Sequence, residues 1–100
     1  MSMWYILDNN NNPVLKSTLE GTQWLTDNDH RRIVKQDQVG DIFISTVFLG
    51  LDHAWIPGGK PVLWETMIFG GEHDQYQERY TSHKDALEGH EKALTLITKE

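Results

Sequence analysis

IFISTVFLGLDHAWIPGGKPVLWETMIFGG, residues 42–71, is the stretch whose reading decides the fold. Two runs rich in β-branched and aromatic residues, Ile42–Leu49 and Val62–Phe69, flank a connection that holds Gly50, Pro57, Gly58, Gly59 and Pro61. Runs of this length, bounded by Gly and Pro, read as strands, because branched and aromatic side chains fit a pleated surface and lose little freedom there. In the first run Phe43, Ser45, Val47 and Leu49 alternate with Ile42, Ile44, Thr46 and Phe48; in the second Leu63, Glu65, Met67 and Phe69 alternate with Val62, Trp64, Thr66 and Ile68. Neither run has a clean polar face. Both strands are therefore expected to be central, covered on both sides or met by another subunit.

Working outward, Met3–Leu7 is a short apolar strand closed by Asp8, four asparagines and Pro13, residues that favour a turn. Ser17 and Glu20 fit a capping box, so a short helix is expected over 18–27, ended by Asp27-Asn28-Asp29. Residues 31–38 read as a polar edge strand, joined by the tight turn Val39-Gly40-Asp41 to the central one. Downstream, Gly70-Gly71 breaks the second central strand and 72–81 reads as a polar loop. Ser82 and Asp85 cap a last helix reaching about Thr98, with Ala86, Leu87, His90, Ala93, Leu94 and Ile97 on one stripe. Gly89, mid-helix, is expected to permit close helix-on-sheet packing. The expected fold is a single α+β domain in the order β-α-β-β-β-α: a four-stranded antiparallel sheet with two helices on one face.

Composition narrows the function. One hundred residues make one domain with one core. There is no cysteine, which excludes disulfides and thiolate metal sites. No signal-peptide pattern and no long apolar run is present, so a cytoplasmic protein with no membrane partner is expected. A net charge of −6 without a basic stripe opposes nucleic-acid binding.

Several residues can carry chemistry, each with a plainer alternative. Glu72, His73 and Asp74, with His83 and with His53 in a loop taken to face them, have metal-ligand chemistry but lack ligand spacing, so a solvated loop is favoured and no metal or cofactor is expected. Glu65 on a buried strand is either a general acid or, more commonly, a structural partner of Arg79, Arg32 or Tyr80. Gly58-Gly59-Lys60 lacks the remainder of a P-loop, and no serine sits in a nucleophile motif. Trp55 in a Gly/Pro-rich loop, with Tyr76 and Tyr80, His53 and Arg79, can stack a base and bond its edges; equally, these rings can cover their own loop and helix start.

The stretches ISTVFLGLDH (44–53), GKPVLWETMIFGG (59–71) and QERYTSHKDALEGHEKA (77–93) resemble a small protein family of bacteriophage and prophage genomes. Its pattern, STVFLGLDH, then P-x-L-[FW]-E-T-M-x-F-G-G, then RY-[ST] and a later GH, is met by Ser45–His53, Pro61–Gly71, Arg79–Ser82, Ala86 and Gly89–His90. The resemblance implies a phage counter-defence protein without catalytic turnover. Such a protein sequesters a small nucleotide-like ligand or covers a host defence protein; a metal- or carboxylate-dependent hydrolase using Glu65, Glu72 and His73 is a third class. Polar and aromatic loops taken to face each other favour ligand enclosure, with His53, Trp55, Glu65, Tyr76, Arg79 and Tyr80 as the binding set. Strands apolar on both faces imply a homodimer or higher homo-oligomer joined sheet to sheet.

Overall fold

The computed structural model describes residues 3–54 and 58–98. It is an α+β fold whose nine elements, in chain order, are β1 (Trp4–Leu7), β2 (Pro13–Lys16), α1 (Thr18–Asp27), α2 (Asp29–Arg32), β3 (Ile33–Val39), β4 (Ile42–Phe48), β5 (Trp64–Phe69), β6 (Gln77–Tyr80) and α3 (His83–Thr98). The main sheet is antiparallel in the order β3-β4-β5-β6, and β1-β2 is a separate two-stranded sheet.

The four-strand count is met with a different membership. The N-terminal strand forms its own hairpin with β2, in which Trp4 faces Lys16 and Leu7 faces Pro13. Its outer edge joins the chain leaving β4, where the Tyr5 N–H donates to the Gly50 carbonyl at 2.8 Å and the Asp52 N–H to the Met3 carbonyl at 3.0 Å. The fourth strand of the main sheet is β6, inside the segment expected to be loop. Residues 29–32, partly assigned to the edge strand, instead make one helical turn, so β3 starts at Ile33. The second central strand starts at Trp64, two residues later than expected.

Local chemistry sets the boundaries. The Ser17 hydroxyl accepts the Glu20 N–H at 3.2 Å and donates to the Glu20 carboxylate at 3.0 Å, a capping arrangement that satisfies an amide at the start of α1. Asn28 ends that helix, donating from its backbone N–H and its side-chain amide to the Trp24 carbonyl. Gly40, at φ +58°, supplies the left-handed residue that the β3–β4 hairpin needs. Ser82 caps α3 by accepting the Asp85 N–H at 3.0 Å.

One face of the main sheet is core. Ile44, Thr46 and Phe48 of β4 and Trp64, Thr66 and Ile68 of β5 are all wholly buried there. Beneath α3 the core splits in two: Phe48, Leu63, Trp64 and Ala86 with Leu7 at one end, Ile44, Ile68, Ala93 and Ile97 at the other. Helix α1 contributes to the first group through Trp24, whose ring meets Phe48 edge-on at 6.0 Å. Each aliphatic or Phe side chain taken fully from water contributes about 1.5–3 kcal/mol, so Ile44, Phe48 and Ile68 anchor the sheet to the helices. The opposite face, with Phe43, Val47, Met67 and Phe69, is only half-buried, and Phe69 remains 41% exposed. Among the described residues the sheet is covered on one side only.

Candidate functional site

Helix α3 lays His90 over the middle of the sheet, and the side chains beneath it form a continuous polar chain. The His90 Nε2 is 2.7 Å from the Asp37 carboxylate on β3, and Nδ1 is 2.7 Å from the Thr46 hydroxyl on β4. Thr46 lies opposite Thr66 of β5 in the strand register, and their hydroxyls approach to 2.5 Å. Tyr80 of β6 then donates its phenol proton to Thr66 at 3.0 Å. One residue from each strand of the sheet thus meets the helix. His90, Thr46 and Thr66 have no exposure at all, and Asp37 opens the chain to solvent at the sheet edge.

Hydroxyls and a neutral imidazole both donate and accept, so the distances alone leave the direction of these bonds to the His90 tautomer. With a neutral ring, one arrangement uses every donor: Tyr80 donates to Thr66, Thr66 to Thr46, Thr46 to His90 Nδ1, and the Nε2–H to the Asp37 carboxylate. An Asp–His–Thr series resembles a nucleophile triad in composition, yet its hydroxyl has no solvent or substrate access, so its work here is to hold helix and sheet in register. Beside it, Lys35 of β3 pairs with Glu91 of α3, and that contact raises the Lys35 pKa above its ordinary value.

Burial of the Tyr80 phenol raises its pKa above the ordinary tyrosine value, as it does for Tyr76. The folded chain therefore keeps these protons when the unfolded chain loses them. Stability should be full below the ordinary tyrosine range and fall as pH climbs through it, which denaturant melts on either side of pH ~10 will reveal.

The expected binding residues are divided by this architecture. Glu65 and Arg79 face the open side of the sheet: the Glu65 carboxylate accepts from Arg79 Nε at 2.8 Å and from Gln77 Nε2 at 2.6 Å. Tyr80 faces the helix side, alternating with Arg79 along β6. Tyr76 packs on the same side against the Ile44, Ile68, Ala93 and Ile97 cluster, and its hydroxyl reaches Glu78 at 3.4 Å. His53 is half-buried in the segment after β4, its N–H bonded to the Val62 carbonyl at 3.0 Å; the neck of that loop is closed by Asp52, which accepts from Ala54 and Val62. Trp55 lies outside the described residues.

The loops taken to face each other do not. β4 and β5 are antiparallel, so the 49–63 connection leaves from one end of the sheet and the 70–76 turn from the other. The six residues of β5 separate them, roughly 20 Å of strand. His53 and Tyr80 share one end, and Tyr76 with Glu72 and His73 occupies the other. These two groups of described residues therefore cannot line one pocket of a single chain. Among the described residues no three His, Asp or Glu side chains converge as metal ligands.

Asp37, Thr46, Thr66 and His90 were not singled out as a group from the sequence. His90 on an apolar helical stripe was the available signal. In comparisons with protein-family models, curated proteins and solved structures, the chain matches none.

Proposed function

We propose that the chain is a non-enzymatic, phage-type counter-defence protein that works as a homodimer and sequesters a small nucleotide-like ligand between protomers. The observation that carries this reading is the open sheet face. Its centre is apolar, with Phe43 and Phe69 stacked at 6.2 Å beside Val47 and Met67. A hollow of about 220 Å3 lies among Ser45, Val47, Glu65, Met67 and Phe69. At its rim Gln77, Glu65 and Arg79 supply hydrogen-bonding groups next to aromatic rings, the chemistry that holds a planar heteroaromatic base. Glu65 and Arg79 cancel, so this face is neutral on a chain of net charge −6, and two copies can meet here without the repulsion the rest of the surface imposes. Two sheets packed about a two-fold axis join the two hollows into one enclosed space.

Met67→Lys places a cation at the centre of the face, where pairing would bury it. It is expected to raise the dimer dissociation constant by about 100-fold, which sedimentation at micromolar concentration measures. A thermal-shift panel of cyclic and linear nucleotides should stabilise the wild type and lose its effect in that variant. A wild-type monomer, or no stabilisation by any nucleotide, overturns the reading. The exposed Phe69 favours one second reading, in which the same face covers a host defence protein. Retention of one host protein on immobilised wild type but not on Met67→Lys, with no nucleotide response, selects it.

A further inference from the structure

The first turn of α3 and the β1–β2 hairpin turn border a second hollow, about 380 Å3 and open to solvent, on the helix side of the sheet. Asn10, Asn11 and Asn12 line it from the hairpin turn and Ser82, His83 and Lys84 from the helix start, with the wholly buried Trp64 beneath them. Among the described residues no acidic side chain lines it. The neighbouring cavity along α3, by contrast, is lined by the acids Glu78, Asp85 and Glu88 alongside the bases Arg79 and Lys92.

Three features point to a negatively charged occupant. The α3 dipole places its positive end here on a helix of sixteen residues. Its first internal bond runs from Ala86 to Ser82, and Ser82 takes the Asp85 amide, so the His83 and Lys84 amides precede the ladder and look outward for an acceptor. Independently, Trp64 is wholly buried, and its indole Nε1–H, the only polar atom of that side chain, has no acceptor among the described residues. A buried donor left unpaired costs about 1–3 kcal/mol, and an occupant that accepts from it recovers this. Asp85, next to Lys84 in the first turn of α3, lines the neighbouring cavity instead, and Asp8, the acid nearest the asparagine turn, is committed elsewhere. The Asp8 carboxylate accepts the Asn12 and Asn10 backbone amides at 2.9 and 2.8 Å, which holds its pKa below the usual value.

We propose that this cavity is an oxyanion site that takes a phosphate group, bound by the indole N–H of Trp64, the first amides of α3 and the Lys84 ammonium. It is separate from the open sheet face and does not depend on the dimer. The fitting chemistry is a small tetrahedral dianion, free or at the end of a phosphate monoester; a larger substituent extends past the asparagine turn.

The test is a nitrogen–proton correlation spectrum of the intact protein, titrated with inorganic phosphate against sodium chloride of equal ionic strength. The Trp64 indole resonance, assigned by its loss in Trp64→Phe, and the His83 and Lys84 amides are expected to move together and saturate with phosphate only. Lys84→Gln, an exposed substitution that leaves the fold intact, should weaken binding by about tenfold. A nucleoside monophosphate that binds more tightly than phosphate identifies a monoester as the ligand, and equal affinity identifies the free ion. An indole resonance that stays still while phosphate is added overturns the proposal, as does an identical response to chloride or in Lys84→Gln. None of these outcomes bears on whether the sheet face pairs.

Discussion

Replacing His90 with leucine is expected to lower the unfolding free energy by about 3 kcal/mol or more, against a small change for Asp37→Asn. Leucine is close to histidine in size, so little of the loss comes from a cavity. It comes from polar groups stranded in the core. Thr46 loses the acceptor for its proton, and Thr46 and Thr66 have no water to turn to, since neither has any exposed surface. Asp37 loses its donor too, but it is one-third exposed and can be rehydrated. Asp37→Asn leaves an amide oxygen that still accepts from Nε2, so under about 1 kcal/mol should be lost if the chain runs from Tyr80 to Asp37 with a neutral ring. A charged ring would instead need the carboxylate as counter-ion, and Asp37→Asn would then cost as much as His90→Leu. Urea denaturation of both variants separates these outcomes, and the ring-nitrogen shifts of His90 provide a second readout of the same proton.

The two central strands were legible because their branched and aromatic runs are long, unbroken and bounded by Gly and Pro. The helix caps at Ser17 and Ser82 were legible for a similar reason: the hydroxyl and its target amide are three residues apart, and no tertiary contact is needed. β6 was not. Gln77, Glu78 and Arg79 carry no apolar signal, and the strand exists because the free edge of β5 is one turn away and Glu65 offers an acceptor to both Gln77 and Arg79. β2 escaped for a related reason, since Val14 and Leu15 stay exposed and the strand is held by pairing with β1 alone.

The polar chain depended on a fact that no local pattern contains, the register of β4 against β5. Thr46 meets Thr66 only because the 49–63 connection sets that pairing, and a loop of this length leaves the register open in sequence. Thr46 and Thr66 therefore read as ordinary strand formers, and His90 as a lone histidine on a helical stripe. Glu65 is the opposite case. The sequence marked it as a carboxylate in need of a partner and named Arg79 among three candidates, and that pairing is the one observed. The facing of the two loops failed on topology, because the two turns flanking an antiparallel strand always lie at its opposite ends.

Gly89→Ala should reverse sign with the residue at position 80. Gly89 is buried where α3 crosses β6, and a Cβ there would collide with the Tyr80 ring and hydroxyl. Alanine is the better helix former by about 1 kcal/mol, so an unobstructed site would gain that much. Here the ring must move instead. It is the far end of a side chain, but it is pinned by its bond to Thr66, and moving it strands the donor at the head of the polar chain. Overpacking typically costs about 1–3 kcal/mol, and the lost bond adds to it, so Gly89→Ala is expected to be destabilising by about 2 kcal/mol net. Tyr80→Leu keeps an apolar side chain on β6 but ends short of the ring atoms that obstruct the Cβ. In that background the same Gly89→Ala change should stabilise, by up to about 1 kcal/mol. A double-mutant cycle by urea denaturation measures the coupling directly. Equal effects in the two backgrounds would mean that the glycine is needed for the helix backbone and not for the approach of Tyr80.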